Sequence, residues 1–372
     1  MPITARDATT SPGEPLPAPA LTVRHATGVC PVYIEAGLLR RLGEICARYL
    51  PDRRLAVISD ERVALALALP TEAPQLTFPA GEASKSRDTW ARLTDALLDH
   101  GFGRDSGIVS VGGGVTGDIA GFVAATYLRG VPWLQVPTTL LAMLDAAVGG
   151  KTGLDTPRGK NLVGAFHQPA AVLMDPAVLV TLPPAEMRNG LAEAVKHAAI
   201  LDPVHFSWLA AAVVPVLGRE PRTIESLLRR NVGIKAEVVQ RDEHETGRRA
   251  ILNAGHTVGH AIEQASGYAI THGECVAIGL VLEAQIGERL GITEQGTARE
   301  IAVLLERLGL PVRMPPSIAG DMVIEAIRND KKNRGNMIRL VLLARVGTVY
   351  GSDQQGWTVA VPETLLRETL GA

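Results

Sequence analysis

The amino-acid sequence predicts an α/β domain with a doubly wound, largely parallel sheet, followed by a mostly α-helical domain. Two observations predict this fold class. Up to about residue 180, short apolar runs alternate with segments whose apolar residues recur at helical spacing, which is typical of strand–helix–strand units. Beyond residue 183 the strand signal fades and helical periodicity dominates. The length of 372 residues also agrees with two domains.

The predicted elements follow these patterns in chain order. Buried strands are predicted at 55–60, 107–112, 132–137 and 171–175, with helices at 85–100 and 118–128. The second part contains six predicted helices and one strand: 191–201, 203–217, 223–240, 256–266, 274–290, 297–308 and the strand 337–343. We therefore expect an α/β domain at 21–180 and a mainly α-helical domain at 181–372.

Composition narrows the class of protein. The net charge of −2 argues against nucleic acid or an anionic membrane as the main partner. The three cysteines show no CxxC spacing, which is typical of a reducing compartment and of chains without a disulfide framework. No apolar run approaches the roughly 18 residues that span a bilayer. Residues 1–20 are rich in Pro, Thr and Ala, lack the layout of a secretory signal, and are predicted to be a disordered tail.

A glycine-rich segment lies between a predicted strand and a predicted helix. Its residues, Gly112-Gly113-Gly114-Val115-Thr116-Gly117-Asp118, satisfy the pattern G-x-G-x-x-G, in which main-chain N–H groups at a helix N-terminus bind a pyrophosphate. The acidic residue that usually ends the next strand is missing, because that strand ends in Pro137-Thr138-Thr139. A dinucleotide in another pose would have Asp60, at the end of an earlier strand, near its ribose. A glycine-rich turn without a ligand is the alternative.

Histidines are concentrated in one segment, where three of the nine fall within 17 positions. His256 and His260 are four residues apart, so on a helix both imidazoles project from one face, and His272 follows after a break at Gly267-Tyr268. Clustered imidazoles are typical ligands of zinc-like ions, and a catalytic site needs three protein ligands and one open position. Glu193, a carboxylate on an otherwise apolar helix, is a further candidate ligand. Histidines without a metal are the alternative.

Cationic and amide side chains are concentrated in and around glycine-punctuated segments in the middle of the chain. Lys151 and Lys160 are predicted to lie in glycine-rich loops beside apolar segments, which is typical of phosphate and carboxylate sites, although scattered Lys and Arg are usually solvated. The residues are Arg129, Asp145, Lys151, Lys160, Asn161, Lys196, Lys235, Arg249 and Asn253.

Taken together, the motifs resemble the sugar-phosphate cyclases, and within them the 3-dehydroquinate synthases. The resemblance runs from about residue 55 to residue 346. Eight motifs in the family's order carry it: Gly-Gly-Gly-Val-Thr-Gly-Asp at 112–118, Val-Pro-Thr-Thr-Leu-Leu-Ala-Met at 136–143, Gly-Gly-Lys-Thr at 149–152, Gly-Lys-Asn at 159–161, Gly-Leu-Ala-Glu at 190–193, Leu-Asn-Ala-Gly-His-Thr-Val-Gly-His-Ala-Ile-Glu at 252–263, His-Gly-Glu at 272–274 and Asp-Lys-Lys at 330–332.

The resemblance implies an N-terminal Rossmann-like NAD-binding domain, a metal-binding helical domain and a specific metal site. It assigns Glu193, His256 and His272 to a divalent metal, usually zinc or cobalt, so that His260 is not a ligand. It assigns proton transfer to His260 and to Glu245. The catalytic residues that it implies are His260, Glu245, Lys151, Arg249 and Asn253. Ala254 departs from the family's usual bulky residue, which bears on fine specificity and on no catalytic role.

The resemblance also implies residues for the cofactor and for the substrate. The NAD residues are Asp60, Glu82, Lys85, Gly114, Asp118, Thr138, Thr139, Lys151, Lys160 and Thr181. The substrate residues are Arg129, Asp145, Lys160, Asn161, Lys196, Lys235, Arg249, Asn253 and Lys332, and Lys151 matches a substrate contact as well.

The implied reaction converts 3-deoxy-arabino-heptulosonate 7-phosphate into 3-dehydroquinate with release of phosphate, a step of the shikimate pathway to the aromatic amino acids. NAD takes a hydride and later returns it, so no net NADH forms. A lyase of this kind is expected to be a cytoplasmic homodimer that acts on a small sugar-acid phosphate.

Other functions are weighed against this one. Within the family, the alternatives are an aminodehydroquinate synthase and a 2-deoxy-scyllo-inosose synthase, although Lys235 and His260 match the dehydroquinate pattern. A metal-dependent dehydrogenase of the glycerol type would accumulate NADH and would not need the cationic cluster. An inactive NAD-binding scaffold would be expected to lack some motif residues, and none is missing.

Overall fold

A computed structural model describes residues 16–67, 69, 71–329 and 338–372 of the chain. By their internal contacts the residues divide into two compact units. The first contains the described residues up to Pro183 together with Ile224–Ala236, and the second contains Pro184–Thr223 and Glu237–Ala372. The first unit therefore includes part of a helix from the second half of the sequence, which a single boundary near residue 180 leaves out.

The first unit contains a seven-stranded sheet. Its strands follow the order β1-β2-β9-β6-β5-β3-β4, in which only β1 and β2 pair antiparallel. Strands β7 and β8 form a separate antiparallel hairpin. The strands are β1 (Leu21–His25), β2 (Gly28–Ile34), β3 (Arg54–Asp60), β4 (Gln75–Phe78), β5 (Ser106–Gly112), β6 (Trp133–Pro137), β7 (Lys151–Thr156), β8 (Gly159–Phe166) and β9 (Ala171–Met174).

Four helices connect the strands of the first unit. They are α1 (Leu42–Tyr49), α2 (Glu61–Ala66), α3 (Arg87–Asp99) and α4 (Gly114–Thr126). Strand β5 is buried along its whole length, as expected for a parallel strand with both faces covered. One face packs on α4, where Ile119 and Val123 join Ile108 and Trp133 in a buried apolar cluster.

The second unit is mostly helical. Its helices are α5 (Pro184–Leu201), α6 (Pro203–Ala211), α7 (Val213–Leu217), α8 (Pro221–Arg241), α9 (His256–Ala265), α10 (His272–Arg289), α11 (Thr297–Arg307), α12 (Gly320–Asn329) and α13 (Glu363–Leu370), of which α8 gives residues 224–236 to the first unit. Two short antiparallel pairs are formed by β10 (Ile338–Leu340) with β13 (Val359–Val361) and by β11 (Leu343–Arg345) with β12 (Thr348–Val349). A buried core joins α9, α10, α12 and α13 through side chains such as Ile262, Ile278, Ile324 and Leu366.

The predicted fold class is confirmed, and several predicted elements differ in their ends. Helix α4 begins at Gly114 instead of residue 118, so two of the motif's glycines lie inside its first turns. One of these glycines is required by the lack of space beside the helix, because a Cβ on Gly117 would lie 2.4 Å from the Gln135 side chain. The helix predicted at 203–217 is divided at Ala212 into α6 and α7. The strand predicted at 337–343 is divided into β10 and β11.

The β7–β8 hairpin was not predicted from the sequence. Lys151 and Lys160 lie on the strands of the β7–β8 hairpin and not in loops, because the glycines allow the two strands to approach closely: a Cβ on Gly164 would lie 2.2 Å from the carbonyl oxygen of Thr152.

Of the predicted tail, residues 1–15 lie outside the described residues, and the Ala20 N–H donates to the carbonyl of Val32. The three cysteines are buried and free. Among the described residues, no helix has the length and apolar character to cross a membrane.

Candidate active-site residues

The second unit brings Glu193 close to two of the three clustered histidines. Glu193 lies in the middle of α5 and is fully buried, whereas His256 and His272 are the first residues of α9 and α10. The Glu193 Oε1 atom is 3.6 Å from His256 Nε2 and 3.4 Å from His272 Nε2. The donor atoms of the three residues all lie within 4.8 Å of one another.

These distances fit a divalent metal. Zinc bonds of about 2.0 to 2.2 Å in a tetrahedral site put neighbouring donor atoms roughly 3.3 to 3.6 Å apart. The two carboxylate–imidazole distances are close to that edge length. A carboxylate with two imidazoles is also the donor set of catalytic zinc sites that leave a fourth position open. The three side chains therefore suit a metal ion by chemistry and by spacing.

His260 lies next to this group, one helical turn after His256. Its ring centre is 5.0 Å from that of His256 and 5.7 Å from that of His272. The described residues contain a second set with metal-ligand spacing, which is His260, Glu263 and His272. They do not bring His256, His260 and His272 together as one such set, which was the arrangement that imidazole spacing alone suggested.

The surroundings affect the two metal-facing imidazoles differently. Burial and the nearby Lys196 ammonium hold the pKa of His256 well below its usual range, so this imidazole is neutral, as a ligand must be. Burial also lowers the pKa of His272, but Glu193 and Glu263 outweigh it and raise the pKa to about 9, so a metal that binds this imidazole would displace its proton. Glu263 Oε2 lies 3.6 Å from His272 Nδ1, where a carboxylate orients a ligating imidazole. Glu263 was not singled out from the sequence.

A turn after α8 brings together three residues predicted for catalysis and substrate binding. Asn253 Nδ2 donates to Glu245 Oε1 at 2.8 Å. The buried Arg249 donates from its guanidinium to the carbonyl of Glu243 at 2.6 Å. Glu245 has a φ of 57°, in the left-handed region that a non-glycine residue adopts at a cost, and such strain is concentrated at functional sites.

Asp242, which the sequence did not single out, holds this turn. Its Oδ1 accepts from the N–H and hydroxyl of Thr246, and its Oδ2 accepts from the N–H groups of Gly247 and Arg249. Burial raises the pKa of this carboxyl, but the N–H donors of Arg249, Thr246 and Gly247 outweigh it and lower the pKa to about 2. The carboxylate therefore stays ionised and fixes the turn at neutral pH.

In the first unit, predicted NAD residues lie at the carboxyl ends of neighbouring parallel strands. Asp60 ends β3, Gly114 follows β5, and Thr138 and Thr139 follow β6. In doubly wound sheets, ligands bind at this edge. Asp60 caps α2, and its Oδ2 accepts from the Thr116 hydroxyl at 3.4 Å, so the acidic side chain lies beside the first turn of α4. Thr181, in contrast, is an exposed residue at the end of a short 3₁₀ helix after β9.

A group of charged side chains surrounds the buried Lys85. Its Nζ atom is 2.6 Å from Asp118 Oδ2 and 3.9 Å from both Glu82 Oε1 and Asp155 Oδ1, and Lys160 Nζ is 3.4 Å from the same Glu82 atom. Burial lowers the pKa of Lys85, but the carboxylates outweigh it and raise the pKa. Four predicted NAD residues are thus brought together, and Asp155 is an additional member that the sequence did not reveal.

Predicted substrate residues of the first unit lie on the hairpin, on α8 and, for Arg129 and Asp145, in two short helical segments before β7. Lys235 Nζ is 2.6 Å from Asp145 Oδ1. Arg129 and Asn161 have φ values of 70° and 55°, again in the left-handed region. Lys151 and Arg129 are exposed. Lys332 lies outside the described residues.

This chain is similar to known proteins over most of its length. Residues 75–189 match the family described as 3-dehydroquinate synthase N-terminal, and residues 190–333 match 3-dehydroquinate synthase C-terminal. A 3-dehydroquinate synthase of Symbiobacterium thermophilum is 45% identical over 331 residues, covering 86% of this chain and 92% of the relative. That of Halorhodospira halophila is 47% identical over 323 residues, covering 85% and 90%.

Solved structures of two other synthases have the same fold. A 2-deoxy-scyllo-inosose synthase complexed with carbaglucose-6-phosphate, NAD+ and Co2+ matches with a TM-score of 0.85 and 26% identity, covering 94% of this chain and 98% of its own. A 2-epi-5-epi-valiolone synthase from Streptomyces hygroscopicus with NAD+ and Zn2+ bound matches with a TM-score of 0.80 and 28% identity, covering 92% and 95%. From the two family matches and these identities, the chain belongs to the 3-dehydroquinate synthase family.

Proposed function

We propose that this chain is a lyase that converts 3-deoxy-arabino-heptulosonate 7-phosphate into 3-dehydroquinate and phosphate, with NAD and a divalent metal. The observation that carries the proposal is the fully buried Glu193 facing His256 and His272 at tetrahedral donor spacing. It is found in a chain whose relatives named for this activity are 42 to 47% identical over most of its length.

The metal is held by Glu193, His256 and His272. A bound zinc or cobalt ion supplies polarisation of a substrate alcohol or carbonyl. Glu263 orients the imidazole of His272, and the lowered pKa of His256 keeps that imidazole neutral for the ion. His260, beside the group but outside the ligand set, moves protons near neutral pH, as an imidazole can. Glu245, fixed by Asn253, is the second group assigned to proton transfer.

NAD is bound by residues of the first unit. Main-chain N–H groups at the start of α4 suit a pyrophosphate, and Asp60 suits a ribose hydroxyl. The Lys85 group keeps a fixed arrangement of charge beside them. The full set is Asp60, Glu82, Lys85, Gly114, Asp118, Thr138, Thr139, Lys151, Lys160 and Thr181. NAD would supply reversible hydride transfer, so these residues would have to hold it throughout a turnover.

The substrate carries two anions, a phosphate and a carboxylate. Each is recognised by charged hydrogen bonds worth roughly 1.5 to 3 kcal/mol. The chain provides more cations than a neutral polyol needs, which favours a substrate with two anions over glycerol. The assigned residues are Arg129, Asp145, Lys151, Lys160, Asn161, Lys196, Lys235, Arg249, Asn253 and Lys332. A homodimer in the cytoplasm is part of the same proposal.

The second candidate is another sugar-phosphate cyclase activity. The observation that favours it is the likeness to a solved 2-deoxy-scyllo-inosose synthase over 94% of this chain. Its 26% identity is well below the 45% of the Symbiobacterium relative, so we place it second. The dehydrogenases with this fold are weaker still, since the glycerol dehydrogenase match is 19% identical and shows the fold alone.

A substrate panel tests the proposal. The purified chain, supplied with NAD and Co²⁺ or Zn²⁺, is given 3-deoxy-arabino-heptulosonate 7-phosphate, its amino analogue, glucose 6-phosphate and glycerol in parallel. We expect the first to have the highest kcat/KM and to yield 3-dehydroquinate. The variant Arg249→Ala should lose this turnover and keep its affinity for NAD, whose assigned residues all lie in the first unit. Preference for glucose 6-phosphate or glycerol would refute the proposal.

A further inference from the structure

Glu283 is a buried carboxylate that none of the roles assigned above uses. It lies in α10, among buried apolar residues, and is 2% exposed. Its two oxygens accept from the main chain of a different helix: the Gly255 N–H donates to Oε2 at 2.7 Å, and the Val258 N–H donates to Oε1 at 3.1 Å. Burial raises the pKa of this carboxyl to about 8, and the main-chain N–H donors act against that rise.

These donors belong to the start of α9, which begins at His256. The first N–H groups of a helix have no partner within the helix and need acceptors from outside it. Gly255, the residue before α9, has no side chain with which to cap it, and its φ of 75° lies in the left-handed region. Glu283 therefore caps α9 from the neighbouring helix.

One of the two hydrogen bonds leads directly to a metal-facing imidazole. The Gly255 N–H belongs to the same peptide unit as the Ala254 carbonyl. His256 Nδ1 is 3.1 Å from that carbonyl oxygen, which can only accept, so Nδ1 donates and Nε2 is left to face Glu193 Oε1. Glu283, the Ala254–Gly255 peptide and the His256 ring thus form a continuous hydrogen-bonded chain.

Helices α9 and α10 pack so closely that a small displacement of either helix would disturb these hydrogen bonds. A Cβ on Gly279 would lie 2.1 Å from the Gly255 carbonyl oxygen, and a Cβ on Gly259 would lie 2.9 Å from the Cys275 carbonyl oxygen. The two helices are therefore in main-chain contact. His256 begins one and His272 begins the other, and their ring centres are 5.3 Å apart.

We propose that Glu283 is a positioning residue for the metal group, which orients His256 through the Ala254–Gly255 peptide and fixes the start of α9 against α10. The inference rests on the proposed metal site and adds to it a residue outside the ligands. Groups that orient a ligating imidazole typically change metal affinity by about 10- to 100-fold when they are replaced.

The same helix offers a matched control in Glu288. Its Oε1 accepts from the N–H groups of Gly296 and Ala298, at 3.0 and 2.9 Å, at the start of α11. Glu288 is thus a glutamate of α10 that caps a neighbouring helix, as Glu283 is. Glu283 caps the preceding α9, whereas Glu288 caps the following α11, which begins with Thr297 and carries no metal-facing residue. A role limited to helix capping predicts unchanged metal affinity in both variants.

The test compares metal affinity in the full-length variants Glu283→Gln and Glu288→Gln. In Glu283→Gln one N–H keeps an acceptor oxygen and the other faces an amide donor, whereas Glu288→Gln can keep the single oxygen that accepts from both N–H groups. After removal of metal with a chelator, Co²⁺ binding is measured by competition, the visible spectrum of the Co²⁺ form is recorded, and the thermal midpoint of the metal-free protein is determined. We expect Glu283→Gln to bind Co²⁺ at least 10-fold more weakly with an altered spectrum, and Glu288→Gln to stay within about twofold.

Parental affinity and spectrum in Glu283→Gln, or an equal loss in Glu288→Gln, would overturn the inference. If Glu283→Gln does not fold, Glu283→Asp gives the same comparison, since its shorter carboxylate cannot reach both N–H groups. Failure of the parent protein to bind Co²⁺ would instead contradict the proposed metal site, so the two outcomes are distinguishable.

Discussion

At the scale of single residues, the candidate chemistry depends on a few side chains whose neighbours decide their roles. His256 and His260 are equivalent in the sequence pattern, and the structure places His256 Nε2 at 3.6 Å from Oε1 of the buried Glu193. His272 faces Glu193 with one ring nitrogen and Glu263 with the other. Two sets of possible ligands share His272: one adds Glu193 and His256, and the other adds His260 and Glu263. The two sets give different predictions for the metal content of histidine variants.

The variant His272→Ala should lose most of the bound metal. It removes one of three proposed ligands, and two protein ligands hold a zinc-like ion much more weakly than three. Elemental analysis of the purified protein measures the metal directly. The exposed His100, in the first unit, provides a control, and His100→Ala should keep a full equivalent. A full equivalent in His272→Ala would show that the assignment is wrong.

The variant His260→Ala should keep its metal and NAD and lose about a hundredfold or more in kcat, which is typical of removing a positioned acid/base. Metal content, NAD affinity and kcat are measured on the same preparation. Loss of metal would instead assign His260 to the ligands, in the set with Glu263 and His272. An unchanged kcat would exclude it from proton transfer.

At the scale of elements, the sequence predicted what local periodicity determines. The runs at 55–60 and 107–112 form β3 and β5, and the histidine segment forms α9, because apolar spacing alone specifies such elements. The hairpin β7–β8 was missed, since its glycines are typical of loops until the close approach of the strands is known. The early start of α4 depends likewise on space beside Gly117.

The site was predictable where motifs carry it and unpredictable where partners are distant in sequence. Glu283 accepts a hydrogen bond from the N–H of Gly255, which is 28 residues away in the sequence, so no local pattern reveals this contact. Asp155 becomes meaningful only when β7 brings it to Lys85. The assignment of Glu193 with two histidines came from the family resemblance, because spacing along the sequence favoured His256 with His260.

The turn held by Asp242 gives a prediction of pH dependence. The pKa of Asp242 is lowered from 3.8 to about 2, so the carboxylate contributes stability that is present above pH 3.8 and lost as the pH falls through 2. Urea unfolding of the parent and of Asp242→Asn should differ by a constant amount above about pH 4, and the difference should shrink toward pH 2. A difference that grows as the pH falls would contradict the assigned contacts.

The same variant tests whether the turn matters for activity. Asp242→Asn replaces an acceptor of the Gly247 and Arg249 N–H groups and should lower kcat, because Glu245 and Arg249 lose their fixed backbone. Asp202, which caps α6 by accepting from the His205 N–H, is a suitable control. Asp202→Asn removes a helix cap and should leave kcat near the parental value.

At the scale of the whole molecule, the chain divides its chemistry between two units. The first supplies a parallel sheet whose carboxyl edge carries the residues assigned to NAD, and the second supplies the residues assigned to the metal. The family matches adjoin between residues 189 and 190, inside α5, so their boundary differs from that of the compact units at Pro183.

The most direct measurement follows phosphate and NADH in one assay of the metal-loaded chain on 3-deoxy-arabino-heptulosonate 7-phosphate. Because the cofactor is regenerated in each turnover, we expect many equivalents of phosphate per NAD, one 3-dehydroquinate for each phosphate, and no accumulation of NADH. NADH that rises steadily with turnover, or NAD consumption without phosphate release, would contradict the central claim and indicate a dehydrogenase.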